Sequence, residues 1–217
     1  GQHDRLESDG RGAHPPGADR HTVDEVPPQG TARVGAPAAE HLDPGVLSVL
    51  SRTSALFGAG ATRIALWGGG RAEPIAIDAE GNLPDGAWDQ LLSADAIVFG
   101  APTYMGGPSW QFKKFADASS KPWYSKQWRN KLAAGFTNSA TLNGDKFSTL
   151  AYFWTLSQQH GMLWAGMGMH ASNAKASTRD DLNNVGGYGG LLTVSPSDAS
   201  TDEMIPGDLA TARAFGQ

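Results

Sequence analysis

Apolar residues in this chain fall into short continuous runs separated by polar and glycine-rich stretches, and the regular pattern sets in only after about residue 60. Ala96, Ile97, Val98 and Phe99 form one such run. Because it does not alternate with polar residues, it predicts a strand covered on both faces. Gly100 ends the run, and Pro102 keeps Ala101 out of the helical region. Thr103, Tyr104 and Met105 are then expected to project from the strand end ahead of a turn at Gly106 and Gly107. Pro108 suits the first turn of a following helix, in which Phe112, Phe115 and Ala116 share a face that Lys113, Lys114 and Asp117 avoid. The same reading predicts strands at 75–78, 132–136 and 162–166, and helices at 87–92 and 209–215. A longer helix is expected at 146–160, with Phe147, Leu150, Ala151 and Trp154 on one face and Gly161 as its stop. Strands that alternate with helices imply parallel crossovers and a layered α/β sheet.

The front of the chain reads differently. Residues 1–44 are rich in Gly, Pro, Asp, Arg and His and lack apolar periodicity, so they cannot bury enough surface to offset their ordering entropy. The expected organisation is a low-complexity, disordered segment at 1–60 and one folded domain at 61–217. Leu47 to Leu50 are apolar enough for a short strand. The glycines at 58, 60 and 68–70 invite a phosphate-loop reading, but no room for a helix remains before the apolar run at 74–77. A glycine linker or hairpin turn is the reading adopted.

Composition narrows the classes. The chain has 217 residues, 40% of them hydrophobic, enough for one full core. A net charge of -5 without a basic cluster argues against a nucleic-acid partner. With no cysteine, disulfides, thiolate metal sites and a cysteine nucleophile are excluded. No apolar run is long enough to span a bilayer, so no membrane association and a cytoplasmic location are expected.

Candidate chemistry concentrates at strand ends, where open α/β sheets bind ligands. A second loop, 137–145 (TNSATLNGD), also follows a strand and precedes a helix. Its Thr137, Asn138, Ser139, Asn143 and Gly144 offer hydroxyl, amide and main-chain donors suited to a polar ring edge or an anion. The competing role is helix capping by Asn143 or Asp145. Two such loops on successive parallel strands would face one crevice. Trp123 sits in a polar segment and could wall a flat ligand, serve a subunit interface, or form a satellite cluster with Tyr124 and Trp128. His160 ends a helix and is a candidate for proton handling or for a favourable interaction with the helix dipole. Asp180 and Asp181 read as a solvated loop rather than a cation site, and no residues are assigned to a metal. Tyr188, between glycine pairs, could reach a ligand.

Five segments resemble one family, in order: 101–117 (APTYMGGPSWQFKKFAD), the stretch around Trp123, 131–145 (KLAAGFTNSATLNGD), the helix ending in QQHGM, and 197–216 (SDASTDEMIPGDLATARAFG). The chain resembles flavodoxin-like NAD(P)H:quinone oxidoreductases of the WrbA type, within the NADPH-dependent FMN reductase group. The resemblance implies a flavodoxin-like three-layer sandwich with a five-stranded parallel sheet, and FMN held at the C-terminal strand edge. Pro102, Thr103, Tyr104, Met105, Gly106 and Gly107 would lie along the isoalloxazine ring, and Thr137 to Gly144 would form the second ring-side and phosphate-side loop. Trp123 and His160 would line the cavity above the flavin as catalytic residues, supplied across subunits of a homodimer or homotetramer. The implied function is hydride transfer from NAD(P)H to a quinone, with His160 donating a hydrogen bond or proton to the quinone.

The family's first strand leads into a Ser/Thr-rich phosphate loop and a helix. No such succession is legible in residues 30–70, so the first strand and the phosphate loop are expected to be missing or degenerate. The remaining candidate is 51–58, with Ser51, Thr53 and Ser54. The N-terminal segment is accordingly expected to be divergent or non-native, from a fragment or a shifted reading frame. The competing functional reading is a cofactor-free flavodoxin-like binding or assembly module.

Overall fold

The computed structural model describes residues 45–51, 71–200 and 203–216. The apolar runs form strands β1 (Gly45–Ser51), β2 (Arg71–Ile77), β3 (Ala96–Tyr104), β4 (Gly107–Pro108), β5 (Leu132–Ser139), β6 (Leu163–Trp164) and β7 (Leu191–Val194). The helices are α1 (Ala87–Ser93), α2 (Trp110–Ala118), α3 (Ser120–Tyr124), α4 (Lys146–Gln159) and α5 (Pro206–Phe215). Strand order is β2-β1-β3-β5-β6, and every neighbouring pair on that path is parallel. β6 pairs with the start of β5 at Leu132 and Ala133, whereas β7 pairs with its far half, Phe136 to Ser139. The two short strands thus share the place of one fifth strand, and residues 165–190 loop out between them.

Both faces of the sheet are covered. On one, Ile97, Phe99 and Ala101 meet Leu91 of α1, Phe112 and Phe115 of α2, and Leu150 and Phe153 of α4. On the other, Val98 and Phe136 pack with Met167 and Met169 of the 165–190 segment, Leu191 of β7, and Ala212 and Phe215 of α5. This is the expected flavodoxin-like α/β sandwich of three layers. Fully buried aromatics dominate its first core. Phe112 lies 4.6 Å from Phe153 between ring centroids, and Trp128 packs against Phe115 at 6.2 Å. Burying a phenylalanine of this kind contributes about 1.5–3 kcal/mol. No helix among the described residues is long and apolar enough to cross a membrane.

The first strand is not missing. β1 lies inside the sheet, paired with β2 on one side and with β3 from Val46↔Ala96 to Leu50↔Gly100 on the other. Among the described residues the sheet therefore begins at Gly45, inside the segment read as disordered. Thr53, Ser54, the glycines at 58–70 and residues 1–44 lie outside the described residues, as does the phosphate-loop reading that rests on them.

Helix α4 also turns a different face inward from the one expected. Lys146, Thr149, Leu150, Phe153 and Ser157 are buried, while Phe147 and Trp154 are 69% and 51% exposed. Gly135 is the physical reason. A Cβ there would lie 3.0 Å from Phe153 Cδ2 and 2.8 Å from Trp164 Cη2, so the bare backbone of β5 admits Phe153 and sets the helix rotation.

The 165–190 segment is tied down by one ion pair. Arg179 donates to both carboxylate oxygens of Asp208 at 2.9 and 2.8 Å, and Asp208 also accepts the Val194 N–H at 2.8 Å. Burial raises the Asp208 carboxyl above its ordinary range, while the Val194 N–H and Arg179 pull it back down.

Two outcomes follow from this packing. A Cβ on Gly100 would meet Phe136 Cζ at 2.2 Å. Gly100→Ala should therefore cost about 1–3 kcal/mol through overpacking, seen as a lower urea midpoint at unchanged m-value, and partly recovered by Phe136→Leu in the same chain. Arg179→Met strands a buried carboxylate and should cost about 3–5 kcal/mol, whereas replacing Arg179 and Asp208 together by Met and Leu should cost much less in the same urea titration.

Candidate active site at the C-terminal sheet edge

The chain leaves β1 for β2 on one side and returns to β3 on the other, so a crevice opens beyond the C-terminal ends of β1 and β3. β3 continues past its neighbours into a hairpin, with Thr103↔Pro108 and Tyr104↔Gly107 antiparallel. Its two central residues, Met105 and Gly106, have φ of 49° and 77°, the geometry of a type I′ turn. Pro108 consequently belongs to the returning strand, not to the first turn of α2. Met105 is 96% exposed, and Tyr104 and Trp110 are exposed as well. Around Gly106 and Gly107 an added Cβ would meet nothing within 4 Å, so this flank is open.

Below the hairpin three hydroxyls lock the elements together. Thr103 Oγ1 lies 2.8 Å from Thr137 Oγ1 of β5 and 2.8 Å from Thr149 Oγ1 of α4. Asn138 is similarly engaged, donating to Ser195 Oγ at 2.7 Å and accepting from Thr193 Oγ1 at 2.9 Å. Thr137, Asn138 and Ser139 are strand residues rather than loop residues, and the first two spend their polar atoms on the scaffold. Ser139 differs: its Oγ is buried without a hydrogen-bond partner. It lies against Gly144, where an added Cβ would come within 2.2 Å of that oxygen.

The loop proper is 140–145, and its main-chain N–H groups have no acceptor among the described residues. Asp145 occupies the N-cap position of α4, but with φ of 51° its side chain makes no capping bond. Helix capping by side chains is therefore not what these residues do. Asn143 contributes its carbonyl instead, accepting the Lys146 N–H at 3.1 Å. Sequence reasoning missed Lys146 and Thr149 as parts of this edge. The available signal was a lysine in the first helical position, the wrong end of the helix dipole for a cation.

Trp123 and His160 do come together, at the other edge of the sheet. With Lys126, Arg129, Gln158, Gln159 and Gly161 they line a cavity of about 300 Å³. Its place follows from α4, whose 14 residues carry the chain roughly 21 Å back from the loop to the start of β5, where Asn130 N–H donates to Gly161 O. Trp128 does not join Trp123 in a satellite cluster: it enters the core, where its ring centroid lies 4.2 Å from that of His160 with the two planes tilted by 32°.

The protonation of His160 can be read from its partners. Ser119 Oγ donates to Ala116 O at 2.6 Å, so its remaining contact with His160 Nε2, at 2.9 Å, is one it accepts. The proton therefore sits on Nε2, and Nδ1 is a buried lone pair with no partner. Burial also pushes the imidazole down to about 4. A neutral ring with this tautomer accepts a hydrogen bond at Nδ1, so the expectation of a proton donor at His160 does not hold for this arrangement.

The donor set at the C-terminal edge fits FMN. Unused N–H groups at 140–145 and the free Ser139 hydroxyl suit the carbonyl-rich rim of an isoalloxazine ring, and the open hairpin flank with Tyr104 and Met105 suits its apolar face.

Comparison with known proteins agrees. Residues 85–188 match the family model of NADPH-dependent FMN reductase. Flavodoxin FldP of Pseudomonas aeruginosa is 50% identical over 147 residues, 68% of this chain and 80% of that protein. An NAD(P)H dehydrogenase (quinone) of Geobacter sulfurreducens is 34% identical over 138 residues, 63% of this chain and 65% of that protein. The crystal structure of a flavodoxin, WrbA-like protein from Agrobacterium tumefaciens aligns with a TM-score of 0.65 at 44% identity, covering 80% of this chain and 92% of that one. The chain is an FMN-dependent oxidoreductase, and it belongs to the flavodoxin-like proteins of the WrbA type.

Proposed function

We propose that this oxidoreductase passes hydride from NAD(P)H to a quinone, and that it works as a homodimer or homotetramer in which the Trp123 edge of one copy faces the hairpin edge of another. The observation that carries the reading is the separation of the two clusters. Within one chain Trp123 and His160 share a cavity at the N-terminal sheet edge, while the hairpin and the 140–145 loop occupy the opposite edge. A second copy would bring the indole over the ring site. The exposed side chains of Tyr104, Met105 and Trp110 favour a flat apolar co-substrate there, and exposed Phe147 and Trp154 on α4 offer apolar surface for assembly. The quinone is supported by the name of the Geobacter sulfurreducens relative.

When bound, FMN supplies the hydride chemistry. This chain's residues supply place and exclusion of water. Tyr104 and Trp123 would hold nicotinamide or quinone flat between them, and His160, buried and neutral, would brace the wall beside Trp123 without taking up a proton at neutral pH.

Two experiments test this. FMN-loaded protein given NADH or NADPH should oxidise it at a rate that saturates with added benzoquinone, and a rate no greater than that of free FMN at equal concentration would overturn the quinone reading. Trp123→Ala should lower kcat/KM for benzoquinone roughly tenfold with FMN affinity unchanged. Mixing it with Tyr104→Ala, followed by subunit exchange, should restore sites that combine an intact indole with an intact hairpin. No gain on mixing would show that the two residues do not meet across copies.

A further inference from the structure

The 140–145 loop rests on a buried cation. Lys146 is 1% exposed, and its Nζ donates to the Thr141 carbonyl and, at 3.3 Å, to that of Leu142. The placement is unfavourable twice over, because an ammonium loses its hydration on burial and sits at the positive end of the α4 dipole. Two carbonyl bonds within the loop are the visible compensation. They turn Thr141 and Leu142 oxygens toward the lysine, while the N–H groups of 140–145 keep no acceptor among the described residues. The charged groups acting on Nζ come from two elements packed against the loop, Asp208 of α5 and Arg179 of the 165–190 segment.

We propose that Lys146 is a positioning residue for the flavin: its ammonium holds the 140–145 loop in the shape that offers main-chain N–H groups to the ring, so that cofactor affinity follows its protonation. The proposal rests on the placement of the FMN ring at this loop. It goes beyond a role in packing, since a lysine kept only to fill space would be replaced by methionine of similar length without loss, or with a gain in stability.

The titration gives the discriminating sign. Burial pushes Lys146 down from its ordinary 10.5 to about 8, with Asp208 opposing the shift and Arg179 adding to it. Between these two values the unfolded chain holds more protons than the folded one, so the contribution of Lys146 to fold stability rises with pH. Affinity for FMN should move the opposite way, because a neutral amine donates weaker hydrogen bonds to the two carbonyls than an ammonium does.

The test is FMN titration of the full chain by fluorescence quenching between about pH 7 and about pH 9.5, in wild type, Lys146→Arg and Lys146→Met, with thermal midpoints of the cofactor-free proteins over the same range. Wild type should lose about tenfold in affinity as pH rises through that window, with no fall in midpoint attributable to Lys146. Lys146→Arg, charged throughout, should bind within about threefold of wild type at neutral pH and keep a flat profile, which also controls for titration of the flavin. Lys146→Met should bind about tenfold more weakly and without the pH step, and ¹⁵N relaxation of its cofactor-free form should show lower order parameters at 140–145. A level wild-type profile, or a methionine variant that binds as tightly as wild type, overturns the proposal. A loosened loop with unchanged FMN affinity also overturns it, and specifically by removing the ring from this loop.

Discussion

The structure depends on the double pairing of β3. That strand is held in parallel register by β1 on one side and β5 on the other, and its residues from Ile97 to Ala101 are mostly buried between helical layers. Burial on both faces leaves it no freedom to slip, since a shift of one residue would exchange Phe99 for Gly100 under the Phe112 and Phe153 rings. Everything functional is measured from that strand. The hairpin is its uncovered extension, the 140–145 loop continues the strand beside it, and Gly100 provides the bare patch that receives Phe136.

Ligand edges of α/β sheets need exposed donors on a rigid base, and here the base is polar. The Thr103–Thr137–Thr149 hydroxyls, the Asn138 amide and the Lys146 ammonium all point their hydrogen bonds inward. By satisfying one another they leave the loop's own N–H groups and Ser139 Oγ uncommitted. Buried polar groups of this kind contribute little net stability, but they have one good arrangement, and that fixes where the free donors lie.

Much of this was legible in the sequence, and the exceptions have causes. The β3 run, the α2 face at Phe112, Phe115 and Ala116, and the two strand-end loops followed from local periodicity alone, because those segments bury their apolar residues in regular fashion. β1 was undervalued because its apolar character is confined to VLSVL between polar flanks, and pairing on both sides, a long-range fact, is what makes it a strand. The rotation of α4 was misjudged for a similar reason. Phe147 and Trp154 look like core on a helical wheel, but the vacancy that chooses Phe153 belongs to Gly135, eighteen residues away in sequence. The residues of the hairpin and of the second loop lie at the C-terminal ends of β3 and β5, as their order along the chain implies. Their roles were less accessible, because whether Thr137 or Asn138 faces a ligand or a neighbour depends on Thr103 and Thr193, which no local pattern connects to them.

The division of the candidate residues between opposite sheet edges is a consequence of architecture rather than an accident of loops. In a doubly wound sheet each helix begins at the ligand edge and ends at the other, so any residue at a helix C-terminus is carried a full helix length from the cofactor. His160 follows α4 and Trp123 follows α2 within the short α3, so both must lie at the far edge of their own chain. Local chemistry at that edge is consistent with a supporting part. His160 is fixed by Ser119 and Trp128 into one tautomer, with a single lone pair left over, and Trp123 stays partly exposed beside it. A rigid wall of this kind suits the task of covering a flat ring held by another copy, whereas a residue that must exchange protons would need solvent access and a pKa near neutrality, and His160 has neither.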